Sequence, residues 1–167
     1  MKVTQFGHAA FTCKDLQESI HFYRDLLGLN FKFTITYGDW LNDMKKGSQE
    51  SGQPLSEELV KRLEAKQDTI WIAYFEIGEG AFIELFDANG ATEYALVDGK
   101  HYNFNHMALI VDDIFETEKV LREAGVTIDT PAKMGLDNTY QMWSRDPDGN
   151  KIEFMQYTPQ SWQLVGR

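Results

Sequence analysis

The sequence predicts an α+β fold made of two tandem βαβββ modules, and three observations carry that expectation. Phe6-Gly7-His8-Ala9-Ala10-Phe11 near the start is matched by Asn105-His106-Met107-Ala108-Leu109-Ile110. Each run leads into helically spaced apolar residues that stop at a glycine, Gly28 and Gly125. Each half then closes on an alternating strand with a central glutamate, Phe82-Ile83-Glu84-Leu85-Phe86 and Lys151-Ile152-Glu153-Phe154-Met155. Self-similarity of this kind marks a duplicated unit. It places the modules at residues 1–92 and 93–167, with a helical insertion at about 38–68 in the first and a C-terminal tail on the second.

The elements follow from local pattern. Residues 3–12 alternate as a strand, and Leu16, Ile20, Tyr23 and Leu27 fall at helical spacing before Gly28. Aromatic and β-branched residues mark strands at 31–37, 69–77 and 81–87, the last two joined by Gly78-Glu79-Gly80 as a hairpin turn. The second half gives a strand at 106–111, a helix at 113–124 and strands at 126–130, 140–145 and 151–157. Asp146-Pro147-Asp148-Gly149-Asn150 supplies the tight turn before the last strand. His8 and Glu84 stand about 29 residues further apart than His106 and Glu153, and the surplus falls between Tyr37 and Asp68. There Ser56 can cap a helix at 55–66, Glu57 and Glu58 suit its positive end, and Leu55 can staple onto Val60. Residues 42–52 ahead of it are polar and read as a mobile surface segment.

With 167 residues and 43% apolar content the chain can bury a core. A net charge of −10 opposes binding to nucleic acid and to anionic membrane surfaces, which leaves a small organic molecule as the expected partner. The single cysteine, Cys13, cannot form an internal disulfide, and no run approaches the roughly 18 apolar residues of a membrane span. Met1-Lys2-Val3-Thr4-Gln5-Phe6 reads as a first strand and not as a signal peptide, so the cytoplasm is the expected compartment. No glycine-rich phosphate loop, paired-cysteine zinc motif or nucleophile elbow is present.

Alternation puts Phe82, Glu84 and Phe86 on one sheet face and Ile83 and Leu85 on the other, and it sets Lys151, Glu153 and Met155 opposite Ile152 and Phe154. The apolar sets suit the face covered by each module's own helix, because a charge under a helix is costly. The glutamates are thereby assigned to the uncovered face, where they need a partner. If the duplicated halves face each other, His8, Glu84, His106 and Glu153 converge on one point. Two imidazoles with two carboxylates then make a divalent-metal site. Taken singly, a strand glutamate is commonly solvated and a histidine at a strand start is commonly structural; recurrence at matching repeat positions sets these four apart. His21 and His101 match nothing across the repeat and read as structural or solvent-facing.

This pattern resembles the vicinal oxygen chelate superfamily, the glyoxalase, bleomycin resistance and dioxygenase family. The likeness covers nearly the whole chain outside the insertion, and Ser144-Arg145-Asp146-Pro147-Asp148-Gly149-Asn150-Lys151-Ile152-Glu153 is its strongest marker. The resemblance implies that the modules form a cupped, mostly antiparallel sheet with helices outside and a metal within. Extradiol dioxygenases of the family use two histidines and one glutamate, matching His8, His106 and Glu153. The fourth place here holds Glu84, which makes the set similar to that of glyoxalase I; metal-free drug binders have no reason to keep all four.

The nearest implied function is a metal-dependent glyoxalase I-like lyase or isomerase of the lactoylglutathione lyase type. It moves a proton through an enediolate on a hemithioacetal or 2-hydroxycarbonyl compound. The alternatives are an iron(II) extradiol-type dioxygenase and a non-catalytic small-ligand binder. The resemblance makes His8, Glu84, His106 and Glu153 the ligands of one divalent ion per site, nickel or zinc ahead of cobalt, manganese or iron. It makes Glu153 the first choice of base and Glu84 the second. Family members commonly build the cup from two chains, which implies a homodimer. Two positions depart from the bacterial glyoxalase I pattern, where an arginine and an asparagine that help hold glutathione stand four residues after the first histidine and the first glutamate. This chain has Thr12 and Ala88 there. Trp71, Phe75, Phe82, Phe86, Tyr140 and Trp143 are on hand to line a more apolar cup.

Overall fold

In the computed structural model, which describes residues 5–91 and 104–166, the expected α+β order appears twice. One compact unit spans Met1–Thr92 and the other Glu93–Arg167. The first contains β1 (His8–Cys13), α1 (Leu16–Ile20) extended by a π-helical turn (His21–Leu26), β2 (Asn30–Thr36), α2 (Tyr37–Ser51), α3 (Glu57–Glu64), β3 (Ile70–Gly78) and β4 (Ala81–Asp87). The second contains β5 (Met107–Ile110), α4 (Ile114–Glu123), β6 (Ile128–Met134), β7 (Tyr140–Arg145), β8 (Lys151–Gln156) and a terminal turn α5 (Trp162–Val165). The sheets are ordered β1-β4-β3-β2 and β5-β8-β7-β6. In each, the first and last strands of the unit pair in parallel and the other neighbours are antiparallel.

The duplication reaches the caps. Asp15 accepts from the Gln17 and Glu18 amides at the start of α1, and Asp113 accepts from Phe115 and Glu116 at the start of α4. Ile83, Leu85, Ile152 and Phe154 are fully buried, as are or nearly are Leu16, Ile20, Ile114 and Leu121 on the helices; Glu84, Glu153 and Met155, expected on an uncovered face, are buried as well, so burial does not alternate along β4 and β8. The stripe expected through Leu27 shifts because the chain widens into a π turn, with the Leu27 amide donating to the Phe22 carbonyl. Phe22 and Tyr23, adjacent in sequence, are therefore both buried, and Leu27 is left half-buried. β1 starts at His8 and not at residue 3; residues 5–7 are outside the strand, and residues 3 and 4 lie outside the described residues. β6 runs on past residue 130 through Pro131, tolerated because β6 is an edge strand whose register slips on either side of that proline.

The insertion corrects one expectation. Residues 42–52 are not a mobile segment but most of α2, a 15-residue helix. Thr36 and Asp39 form a capping box at its start, which takes Tyr37 out of the strand, and Gly52 at φ +70° ends it. α3 is capped by Ser56 as its sequence indicates. Tyr37, Leu41 and Leu63 form a small core of their own, with Trp40, Met44, Leu55, Leu59, Val60 and Trp71 packed around it. Leu63 is fully buried, so Leu63→Ala is expected to cost about 2–5 kcal/mol, read as a lower urea midpoint at unchanged slope. Among the described residues, no helix is long and apolar enough to cross a membrane.

Candidate metal centre

The parallel pairing in each unit builds the same diagonal contact. In the first unit Ala10 lies opposite Glu84, so His8, two residues earlier on β1, shares the glutamate's face. His8 Nδ1 stands 3.1 Å from Glu84 Oε1. In the second unit Ala108 lies opposite Glu153, and His106, again two residues earlier, places Nε2 3.2 Å from Glu153 Oε2. The carboxylates are the buried members, 7% and 10% exposed, and the imidazoles the accessible ones at 55% and 31%. Structure thus brings His8 to Glu84 and His106 to Glu153. Within each unit, among the described residues, no third histidine, cysteine, aspartate or glutamate joins the pair.

The donor chemistry fits a divalent cation. Two atoms bound at adjacent positions to one ion, with bonds of about 2.0–2.2 Å, stand about 3 Å apart. Both pairs have that separation. Asn105 Oδ1 lies 2.7 Å from His106 Nδ1 and can only accept, which puts a proton on Nδ1 and leaves Nε2 to face Glu153. A proton on Nε2 or a cation between the two groups satisfies that contact. The two histidines differ here, since His8 presents Nδ1 and His106 presents Nε2.

The antiparallel hairpins add one aromatic neighbour to each carboxylate. Tyr74 on β3 is registered opposite Glu84, and Trp143 on β7 opposite Glu153. Burial, together with the neighbouring Glu84 carboxylate, holds the Tyr74 phenol above its usual range. Phe33 stacks on the Tyr74 ring at 4.3 Å. Trp143 has no hydroxyl to give; His106 meets its ring edge-on at 4.8 Å, and Lys151 Nζ sits 3.9 Å from its centroid. The asymmetry shows in Glu153, whose carboxyl is pushed above the usual range chiefly by burial, with His106 pulling the other way. Below the ordinary carboxylate value both folded and unfolded chains hold that proton, and stability is lost as pH rises through the elevated folded value. In chelator-treated protein Glu153→Gln is accordingly expected to melt higher than the parent at pH 7, with the gap closing toward about pH 4.

The six aromatics singled out from sequence divide. Phe82 and Phe86 share the Glu84 face and Trp143 contacts His106. Phe75 is fully buried in register with Ile83, Tyr140 meets Phe115 of α4, and Trp71 joins the insertion cluster. His21 is solvent-facing and bonded to Asp25; His101 lies outside the described residues. Sequence reasoning missed Tyr74 and Asn105. Tyr74 was legible, because it stands ten residues before Glu84 across a tight turn, as Trp143 stands before Glu153.

The chain also matches known proteins. The model of the Glyoxalase/Bleomycin resistance protein/Dioxygenase superfamily matches residues 5–154. The chain is 29% identical over 150 residues to a probable lactoylglutathione lyase of Synechocystis sp., covering 89% of this chain and 92% of that one. It is 30% identical over 155 residues to a lactoylglutathione lyase of Haemophilus influenzae, with 91% and 92% covered. Among solved structures, a glyoxalase family protein from Enterococcus faecalis shares the fold at a TM-score of 0.62 and 18% identity, with 91% of this chain and 97% of that one covered. A glyoxalase/dioxygenase from Nostoc punctiforme does so at 0.59 and 19%, with 92% and 91% covered.

Proposed function

The chain belongs to the Glyoxalase/Bleomycin resistance protein/Dioxygenase superfamily, and we propose that within it the chain is a metal-dependent glyoxalase I-like lyase or isomerase, working as a homodimer in the cytoplasm. The observation that carries this reading is the same diagonal histidine–glutamate pair built twice, at 3.1 and 3.2 Å. His8, Glu84, His106 and Glu153 would together hold one divalent ion, nickel or zinc first, a donor set of two nitrogens and two carboxylates. When bound, such an ion supplies Lewis-acid stabilisation of the negative charge that develops on two adjacent substrate oxygens.

The protein's own groups divide the remaining work. Glu153 takes the proton from the carbon beside the carbonyl and returns it one carbon away. Its burial favours the protonated form, which suits a carboxylate that must accept and then release a proton. Glu84 is assigned the holding role, since it stands opposite Tyr74, whose phenol that carboxylate and burial hold above its usual range, while Trp143 opposite Glu153 carries no hydroxyl. Asn105 fixes the His106 ring, and Trp143 packs edge-on against it. Chelated protein that takes up nickel or zinc stoichiometrically, and with it regains isomerisation of methylglyoxal hemithioacetals, supports this reading. Failure to take up any ion removes it.

A further inference from the structure

We propose that the α2–α3 insertion completes an aromatic wall beside Glu84, and that this wall selects substrates whose thiol part carries an aromatic or extended apolar group. The inference rests on the glyoxalase-type reaction for the identity of the substrate, but the wall itself stands on separate geometry. Phe86 shares the β4 face with Glu84, two residues further on. Trp71 is skipped by the β2–β3 register, which pairs Ile35 with Ile72 and Thr36 with Ile70. A bulge of this kind re-aims a side chain and occurs beside active sites. Here the Trp71 ring meets Phe86 edge-on at 5.8 Å and 83°. Trp40, from the first turns of α2, stacks on Trp71 at 4.3 Å and 17°. All three rings are half-buried, so the row keeps open surface.

The insertion is tied to the strand that bears the glutamate. Tyr37, fully buried behind Trp40 and Trp71, donates its hydroxyl to Asp87 Oδ2 at 2.5 Å, at the end of β4. Lys66 lies 5.1 Å over the Tyr37 ring and donates to Asn89 just beyond. These bonds fix Trp40 and Trp71 relative to Phe86. The polar character of this end matches the rings: Thr12 is registered opposite Phe86, and Ala88 follows Asp87. Neither can grip a carboxylate as an arginine would. An apolar group of the substrate is what three half-open rings and two neutral residues can bind.

The test compares two chelating probes that differ only in phenyl against methyl, benzohydroxamate and acetohydroxamate, by calorimetry on the full chain with and without bound nickel. The expected result is tighter binding of the phenyl probe. In Trp40→Ala the phenyl-to-methyl affinity ratio should fall about two- to tenfold, with acetohydroxamate affinity within about twofold of the parent. Trp71→Leu, checked for intact helix by circular dichroism, should lower the ratio further. The ratio of kcat/KM for the methylglyoxal hemithioacetal of benzyl mercaptan over that of glutathione should fall in parallel. A parent with no phenyl preference, or a preference unchanged in a folded Trp40→Ala, overturns the wall. A parent that turns over neither adduct, yet shows a phenyl preference that Trp40→Ala removes, leaves the wall standing and sinks the reaction instead.

Discussion

Glu153→Gln is expected to lower kcat on a methylglyoxal hemithioacetal by about 10²–10⁴-fold, the range over which a positioned proton acceptor contributes. The amide keeps an oxygen that can face the ion and keeps the size of the side chain, but it cannot take a proton. The pH profile should also change, with the limb that reports the base lost. Glu84→Gln should behave differently. Its carboxylate stands opposite Tyr74 and is paired to His8, so the substitution is expected to weaken metal retention more than the chemical step. Steady-state kinetics at saturating metal separate the two. Equal kcat losses in both variants would assign the proton transfer to neither carboxylate in particular.

His106→Ala carries the second large effect. It removes the nitrogen that faces Glu153 and leaves a buried carboxylate without its partner. Metal affinity should drop by more than the 10- to 100-fold that loss of a supporting group costs, and kcat/KM should fall to background. Because the repeat builds the same contact from His8, His8→Ala should do the same. A non-catalytic binder predicts otherwise: its ligand affinity would survive both substitutions.

The duplication made most of the fold legible. Alternation around Glu84 and Glu153 identified the apolar face of each strand, since it depends only on the two-residue period of a strand, but not that the glutamates opposite it are buried as well. The strand–helix opening of each half was legible for the same reason, with an aspartate cap and a terminal glycine in both. α2 was not, because Asn42, Gly47, Ser48 and Ser51 are poor helix formers and its apolar stripe of Tyr37, Trp40, Leu41 and Met44 fills only the first half. What holds that helix is burial against Leu63, a tertiary contact, together with a local capping box at Thr36 disguised by the strand that precedes it. The π turn at His21–Leu26 was equally hidden, being set by the fit of Phe22 and Tyr23 into the core and not by spacing. In the site, the two histidine–glutamate pairs were readable from recurrence. Asn105 was not found, because its role appears only once the imidazole hydrogen bonding is considered, whereas Tyr74 was overlooked although its spacing before Glu84 repeats that of Trp143 before Glu153.

The most direct measurement is the metal stoichiometry of the purified chain and of its His8→Ala and His106→Ala variants, by elemental analysis and calorimetric titration of nickel or zinc. One ion per chain in the parent, lost in either variant, is the predicted result. An absence of stoichiometric ion in the parent, or an ion retained by both variants, would contradict a shared four-ligand site.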